Sequence, residues 1–197
     1  MSLEDFKNSR VETEIRMHEA KMMAKAIEEK NKPKYTFFWS GPFSQWHPSN
    51  FEIDGVNFVT AEQFMMYKKA LLFHDYKTCA KIMNTSDPRE QKAYGREVKN
   101  FNNEKWEKYA KEFVYEGNFA KFSQNEDLCE QLIKTDGTIL VEASPYDKIW
   151  GIGLAADNPK AQNKETWEGK NWLGEVLTDV RKEIKDIINH KTNNDAK

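Results

Sequence analysis

The chain has 197 residues, of which 39% are hydrophobic, 31% are charged and 13% are aromatic. This length suits one domain, and the aromatic content excludes a disordered chain, because disordered segments lack the large apolar groups that build a core. The 30 Lys and Arg residues nearly balance the 32 Asp and Glu residues, and the net charge of -2 excludes a protein that its overall charge draws onto nucleic acid.

The apolar runs of the sequence are short. All of them fall below the roughly 20 residues that cross a bilayer, and residues 1–16 do not contain the apolar core of a signal peptide. Cys79 and Cys129 are isolated and match no metal-binding spacing, which is typical of buried thiols in a reducing compartment. We therefore expect a cytoplasmic protein that does not contact a membrane.

The two ends of the chain differ in composition from its middle. Residues 1–33 contain seven acidic and seven basic side chains but no Trp or Gly, which predicts a polar helical extension ended by Pro33. Residues 190–197 are polar and predict a flexible tail. A single domain is then expected at residues 34–189.

The first part of this domain predicts short β elements followed by a helix. Residues 35–39 are apolar and mostly aromatic, which predicts a strand. The pair Asp54-Gly55 between apolar residues predicts a hairpin. Thr60 and Gln63 have the spacing of a capping box, which predicts that a helix begins here.

The rest of the domain is mostly helical in pattern. Asp87 and Pro88 provide an N-cap and a first-turn proline for a second helix. Apolar residues at three- and four-residue spacing predict a long helix around 106–120 and a final one over 173–188, whereas 138–142 predicts a strand. Because helices dominate and no regular βαβ alternation occurs, we expect an α+β, predominantly α-helical domain with a few short strands.

An aromatic turn and the helix after it contain candidate site residues. Residues 37–46 read FFWSGPFSQW, and aromatic faces beside short polar groups suit a flat heterocycle. Glu62 and Lys69 share one face of the helix that begins at Thr60, roughly 10 Å apart along its axis, which suits two ends of one ligand. The pattern leaves two alternatives open: a turn packed on the core, and a first-turn acid that serves only its helix.

The loop after the strand at 138–142 is a third candidate. It contains Asp147 and Trp150, and its Gly151 and Gly153 permit close backbone approach or positive φ. An acid three residues before a Trp in such a loop suits a sugar. A structural Trp with turn glycines explains the same pattern.

Two weaker signals of a site lie at Asn171 and Gly95, and several common catalytic motifs are absent. Asn171 precedes the final helix and suits either a cap or a phosphate at the helix N-terminus. Gly95 lies inside the helix from Pro88, where glycine costs about 1 kcal/mol relative to Ala; a site at Gly95-Arg96 or the close approach of another helix would explain it. The motifs GxxxxGK[ST], HExxH and CxxC are absent and the four His residues are scattered, which argues against a P-loop, a zinc site and a Cys-His dyad.

Taken in order, these segments resemble the NADAR family, also called YbiA-like. The resemblance spans about residues 35–184 and rests on six blocks: FWSGPFSQW, IDGVNFVTAEQFMMYKKALLF, AYGREVKNF, W…AKFSQN, LVEASPYDKIWGIGL and GKNWLGEVLTDVR. The family pattern usually has Ser-Asn where this chain has Ser44-Gln45, a departure that bears on substrate specificity. Residues 1–33 lie outside the pattern.

The resemblance implies a single YbiA-like domain that hydrolyses the N-glycosidic bond of a phosphorylated ribose. It implies two substrate groups: ribosylamino-pyrimidine phosphates of riboflavin biosynthesis, and ADP-ribose attached to guanine in nucleic acid. The alternative is a module that binds ADP-ribose or a nucleotide without turnover. By similarity, the catalytic residues are Glu62, Asp147 and Lys69, and the substrate-binding residues are Trp39, Ser44, Gln45, Trp46, Trp150, Gly151, Gly153 and Asn171.

The implied chemistry matches these residue types. A carboxylate stabilises an oxocarbenium-like transition state at the anomeric carbon, and a second carboxylic acid can protonate the leaving base. Lys69 suits a phosphate or, because a glycosylamine can open to an imine, a covalent role as an amine nucleophile. No metal or cofactor is needed. We expect a monomer whose partner is the ribosyl- or ADP-ribosyl-linked substrate, with ADP-ribosylated nucleic acid as one form of it.

Overall fold

The computed structural model describes residues 3–195, without the side chains of residues 3–14, 28–29 and 193–195. These residues form two compact units that divide between Lys34 and Tyr35. The first unit consists of helix α1, Leu3–Asn31. This helix ends two residues before Pro33, because the residue before a proline is disfavoured in the helical conformation.

The strands of the second unit form two separate pairs. Strand β1, Tyr35–Phe38, lies parallel to β4, Ile139–Glu142, so that Phe38 is opposite Glu142 at the carboxyl end of both strands. Strands β2, Phe51–Ile53, and β3, Val56–Phe58, form the predicted antiparallel hairpin. Both residues of its turn have positive φ, as a two-residue hairpin of type I′ requires.

Six helices of the described chain follow β1. They are α2 Ala61–Leu72, α3 Tyr76–Met83, α4 Pro88–Arg96, α5 Asn103–Ser123, α6 Glu126–Ile133 and α7 Trp172–Asp195. Helix α2 packs against α3, α4 and α5, and α5 also packs against α6 and α7. Helix α7 covers β4, so the parallel pair is bound to the helical layer.

Two glycines permit the close packing of α2. A Cβ atom on Gly95 in α4 would lie 1.9 Å from Sδ of Met66, and one on Gly117 in α5 would lie 2.6 Å from the ring of Phe64. Such distances are far below van der Waals contact. Close approach of α2 therefore explains a glycine in the interior of α4.

The start of α2 differs in one detail from the predicted capping box. The Thr60 hydroxyl accepts a hydrogen bond from the backbone N–H of Gln63 at 3.0 Å, as expected for an N-cap. The Gln63 side chain accepts from the N–H of Val59 instead of that of Thr60, and donates to the carbonyls of Ile82 and Thr85. Gln63 thus joins α2 to the strand before it and to the end of α3.

The core contains several of the aromatic side chains in which the composition is rich. Phe58, Phe64 and Phe122 are at most 1% exposed. Cys79 is buried and Cys129 is half-buried, and both are free thiols. Together with the helix and strand content, this arrangement confirms an α+β, predominantly helical fold.

Helix α7 continues to Asp195, so residues 190–195 are helical where the sequence predicted a flexible tail. This segment contains neither Gly nor Pro, and the Thr192 hydroxyl donates to the carbonyl of Ile188 at 3.0 Å. Residues 196–197 lie outside the described residues. None of the described helices has the length and apolar character of a membrane span.

Candidate active site

A cavity of about 720 Å³ opens at the carboxyl ends of β1 and β4, and residues of α2 and α4 also line it. Its position follows from the topology, because parallel strands bring the loops that follow them to the same edge. The charged and aromatic side chains in its wall are Glu62, Glu142, Asp147, Lys69, Lys92, Arg96, Trp39, Trp46, Trp106, Tyr146 and Trp150.

Glu62 lies in the first turn of α2 and is only 5% exposed. Its backbone N–H donates to the carbonyl of Gln45 at 2.9 Å, and the side chain of Trp46 donates to its carboxyl group. Burial raises the pKa of Glu62 from 4.5 to about 7, and the negative charge of Asp147 adds to the rise. The charges of Lys92 and Lys69 and the Trp46 hydrogen bond oppose it, so the carboxyl group is poised between its two forms.

Lys69 lies two turns further along α2. Its ammonium group donates to the carbonyl of Gly95 at 2.7 Å and lies 4.3 Å from the centre of the Phe101 ring. Burial lowers the pKa of Lys69, an effect that Glu62 opposes and Arg96 reinforces. The side chain is thus fixed in the cavity wall and is less basic than a surface lysine.

The turn after β1 is tied to α2 and α5. The Ser44 hydroxyl accepts from the N–H of Trp46 at 3.2 Å, which closes the turn. The Gln45 amide oxygen accepts from Asn118 at 2.7 Å, and its amide nitrogen faces the sulfur of Met65. The polar atoms of the Gln45 side chain are therefore engaged with the protein.

A buried lysine holds the backbone of this turn. Lys121, in α5, is fully buried and donates to the carbonyls of Pro42 at 2.7 Å and Ser44 at 2.9 Å. Burial lowers the pKa of its ammonium group to about 7. Lys121 does not line the cavity, and its contacts hold the turn that carries Ser44 and Trp46.

The loop after β4 is organised by Asp147. One of its carboxylate oxygens, Oδ1, accepts from the backbone N–H groups of Ile149 and Trp150, both at 2.8 Å. A Cβ on Gly151 would lie 2.9 Å from the carbonyl oxygens of both Glu142 and Asp147, so only glycine fits where the loop crosses the end of β4. Gly153 has a φ of 69°, in the region that favours glycine.

Asn171 is bonded to β4 and does not cap α7 with its side chain. Its amide oxygen accepts from the N–H of Glu142 at 2.9 Å, and its amide nitrogen donates to the carbonyl of Leu140 at 3.0 Å. The residue is 1% exposed and has a φ of 56°. Its function is thus to hold the end of β4 in register with the start of α7.

The cavity brings together eight of the eleven site residues that the sequence predicted. These eight are Glu62, Lys69, Asp147, Trp39, Ser44, Gln45, Trp46 and Trp150. Gly151, Gly153 and Asn171 do not line the cavity, and their contacts shape its wall from outside.

Sequence reasoning missed several residues of the cavity wall, above all Glu142 and Lys92. Burial raises the pKa of Glu142 from 4.5 to about 7, and Asp147 contributes to the rise. Its place as the last residue of a predicted strand, five residues before a candidate acid, was an available signal. Lys92 lies in the middle of a helix with no motif around it, and only the packing of α4 on α2 brings it to the cavity.

The chain is similar to known proteins over its second unit. A family model described as the NADAR domain matches residues 36–185. N-glycosidase R617 of Acanthamoeba polyphaga mimivirus is 46% identical over 163 residues, which cover 76% of this chain and 96% of that protein. The riboflavin biosynthesis protein PYRR, chloroplastic, of Arabidopsis thaliana is 34% identical over 112 residues, which cover 55% of this chain and 17% of that protein.

A solved structure has the same fold. The NMR structure of the E. coli protein YbiA superimposes with a TM-score of 0.64 at 25% sequence identity, and the match covers 78% of this chain and 86% of that one. The helical and strand elements described above are thus shared with a solved protein over most of the second unit.

Proposed function

Because the chain belongs to the NADAR family of N-glycosidases, we propose that it hydrolyses the bond between a phosphorylated ribose and the nitrogen of a nucleobase-like amine. The observation that carries this proposal is the composition of the one cavity at the ends of β1 and β4. Three carboxyl groups, three cations and a set of aromatic rings line it together. These are the groups that a ribosyl cation, a phosphate and a base require, respectively.

The carboxyl groups suit the reacting carbon. Cleavage of an N-ribosyl bond develops positive charge on the anomeric carbon and the ring oxygen, and a buried carboxylate stabilises that charge strongly. Glu62 fits this role because Lys92, Lys69 and the Trp46 hydrogen bond all favour its ionised form. The same carboxylate can accept a proton from the attacking water.

The cations suit the phosphate of the substrate. Lys69, from α2, and Lys92 and Arg96, from α4, line the cavity, and guanidinium and ammonium groups bind phosphate oxygens through charge-assisted hydrogen bonds. Lys69 has a second possible use, as an amine that attacks the imine form of an opened glycosylamine. Its lowered pKa makes the neutral, nucleophilic form more accessible.

The aromatic residues favour a substrate that carries a second base. Trp39 is 55% exposed and Tyr146 is 86% exposed, yet their rings lie 5.9 Å apart and both line the cavity. Folding does not require such exposed rings, whereas a nucleobase stacks well on them. This pair supports ADP-ribosylated guanine as the substrate, because the ADP-ribosyl unit brings an adenine in addition to the base that leaves.

The second candidate substrate is a ribosylamino-pyrimidine phosphate. Its support is the similarity of 112 residues to a riboflavin biosynthesis protein. This substrate would use the same carboxyl groups and cations, but it has only one ring and would leave the Trp39–Tyr146 pair unused.

One experiment separates the candidates. The protein is incubated with an oligonucleotide that contains ADP-ribosylated guanine and, separately, with a ribosylamino-pyrimidine 5′-phosphate, and the released base and sugar are identified by mass spectrometry. We expect release of ADP-ribose from the oligonucleotide, and a Trp39→Ala variant should raise the KM for this substrate on the order of tenfold. Cleavage of the pyrimidine substrate alone would support the second candidate. If neither is cleaved while ADP-ribose binds tightly, the protein is a binding module.

A further inference from the structure

We propose that Glu142, and not Asp147, is the acid that protonates the leaving nitrogen. This inference rests on the proposed hydrolysis of an N-ribosyl bond and assigns a step of that reaction to a residue outside the predicted site. It is carried by the hydrogen bonds of the two carboxyl groups and by the way the backbone of Glu142 is fixed.

The backbone of Glu142 is held on both sides. Its N–H donates to the side chain of Asn171 at 2.9 Å, and its carbonyl accepts from the N–H of Ile152 at 2.9 Å. Gly151 packs directly against that carbonyl. A side chain on so rigid a backbone enters the cavity in a defined position, as a group that delivers a proton must.

The side chain of Glu142 has an unused polar atom. Its Oε2 is buried and has no hydrogen-bond partner among the described residues. A buried carboxylate oxygen without a partner costs free energy, and this cost is smallest when the group is protonated and neutral. The unpartnered oxygen therefore favours the neutral carboxylic acid form of Glu142, whose side chain lines the cavity wall.

Asp147 has the opposite character. Its Oδ1 accepts two backbone N–H groups, so this oxygen is engaged in holding the loop that carries Trp150. A carboxyl group held in this way is less free to deliver a proton to a substrate. Asp147 thus acts as a fixed negative charge, and its repulsion disfavours ionisation of Glu142.

The neighbouring charges divide the roles of the two glutamates. Burial raises the pKa of both to about 7, but Glu62 receives a Trp46 hydrogen bond and the attraction of Lys92 and Lys69, whereas Glu142 is opposed only by Lys92. These neighbours therefore favour the ionised form more at Glu62 than at Glu142, which assigns the proton to Glu142. The charged and titratable groups around this pair in the cavity wall are Lys69, Lys92, Arg96, Asp147, His47 and Tyr146.

The proposed reaction is a hydrolysis in which Glu142 gives a proton and Glu62 accepts one. The bond from the anomeric carbon to nitrogen breaks with its electron pair on nitrogen, and the Glu142 proton moves to that nitrogen. A water oxygen bonds to the anomeric carbon, and Glu62 takes a proton from this water. The products are the free ribose hydroxyl and the free amine, and transfer of the proton from Glu62 to Glu142 restores the starting state.

The test compares Glu142→Gln with Asp147→Asn in the full chain, using the substrate that the wild type cleaves. We expect wild-type kcat to fall above about pH 7, as Glu142 loses its proton. Glu142→Gln should lower kcat on the order of 10²-fold and remove this pH dependence, and Glu142→Asp should restore part of it. Asp147→Asn should keep the alkaline limb but move it to lower pH, because it removes the charge that raises the pKa of Glu142.

Other results would overturn the assignment. A near-normal kcat in Glu142→Gln, or loss of the alkaline limb in Asp147→Asn alone, would return the acid role to Asp147. A second measurement does not depend on turnover: in protein labelled with ¹³C at the glutamate carboxyl carbons, two signals should titrate near pH 7, from Glu62 and Glu142, and the Glu142 signal should vanish in Glu142→Gln. If this signal is present but the wild type cleaves no N-ribosyl substrate, the proposed function fails and the protonated Glu142 stands. Absence of the signal overturns the inference.

Discussion

Glu62 and Glu142 face the same cavity, and the groups around each side chain decide its chemistry. Neither residue has an unusual sequence context, since one is a first-turn acid and the other ends a strand. Removal from water raises the pKa of both carboxyl groups. The surrounding dipoles and charges then favour the ionised form more strongly for Glu62 than for Glu142. The charges of these two carboxyl groups lead to two predictions.

Glu62→Gln should lower kcat by a factor on the order of 10² or more, because it keeps size and hydrogen bonding but removes the charge that faces the ribosyl cation. Glu104→Gln is a matched control, since Glu104 is also a first-turn acid but lies outside the cavity wall. Steady-state kinetics with thermal denaturation as a folding check measure both variants. Equal kinetics in the two variants would show that Glu62 serves only its helix.

The raised pKa values of Glu62 and Glu142 should make the protein less stable as the pH rises. The folded chain keeps protons that the unfolded chain releases between about pH 4.5 and 7, so the free energy of unfolding falls across this window. Each shift corresponds to at most about 3 kcal/mol.

Glu142→Gln removes one of these groups and should raise the Tm at pH 8 by roughly 2–8 °C, with little change at pH 4.5. Calorimetry at the two pH values measures the difference. A gain of the same size at both would show that Glu142 is ionised throughout.

At the scale of elements, the turn after β1 depends on helices from elsewhere in the chain. Lys121 of α5 holds its backbone and Asn118 of α5 holds the Gln45 side chain, and the Glu62 N–H of α2 donates to the carbonyl of Gln45. The turn contains Gly41, with a φ of 77°, and its own backbone hydrogen bonds join only residues within it, from Ser44 to Gly41 and from His47 to Ser44. The contacts with α5 therefore set the position of the turn, and with it the position of the Trp46 side chain that hydrogen-bonds to Glu62.

Lys121→Met should lower kcat/KM on the order of tenfold or more, because a turn that loses both carbonyl contacts no longer places Trp46 and Ser44 accurately. Lys111→Met is the control, since Lys111 is on the same helix but forms an exposed ion pair with Glu175. An unchanged kcat/KM in Lys121→Met would show that the turn holds its shape without the lysine.

At the scale of the whole molecule, local signals in the sequence were sufficient to predict most helices and strands. The hairpin turn, the N-caps at Thr60 and Asp87, and the strand that becomes β4 are recognisable because each depends on a few adjacent residues. The pairing of β1 with β4 could not be read from the pattern, because it joins distant segments. Without that pairing, the sequence offered no reason to place Glu142 beside Glu62, or to see that Asn171 binds β4.

The overall charge also sets an expectation for nucleic-acid substrates. The net charge of -2 provides no overall attraction for phosphate, and the cavity wall contains three cations. If these neutralise about three phosphates of a single strand, the slope of log affinity against log salt should be about -2. Binding of the oligonucleotide to Glu62→Gln between low and moderate salt measures it. A slope several times steeper would reveal a further phosphate-binding surface.

The parallel pairing of β1 with β4 also sets the order in which the protein assembles. It closes a loop of roughly 100 residues, whereas the contacts among α2–α6 join segments that are closer together in the chain. Since closures of such length are slow, we expect the helical layer to form first and β4 to dock late. Until then Glu142 is in water and ionised, so docking takes up a proton. Late folding should therefore proceed more readily below pH 7 than above it. The docking of β4 would then complete the cavity and protonate Glu142 in the same step.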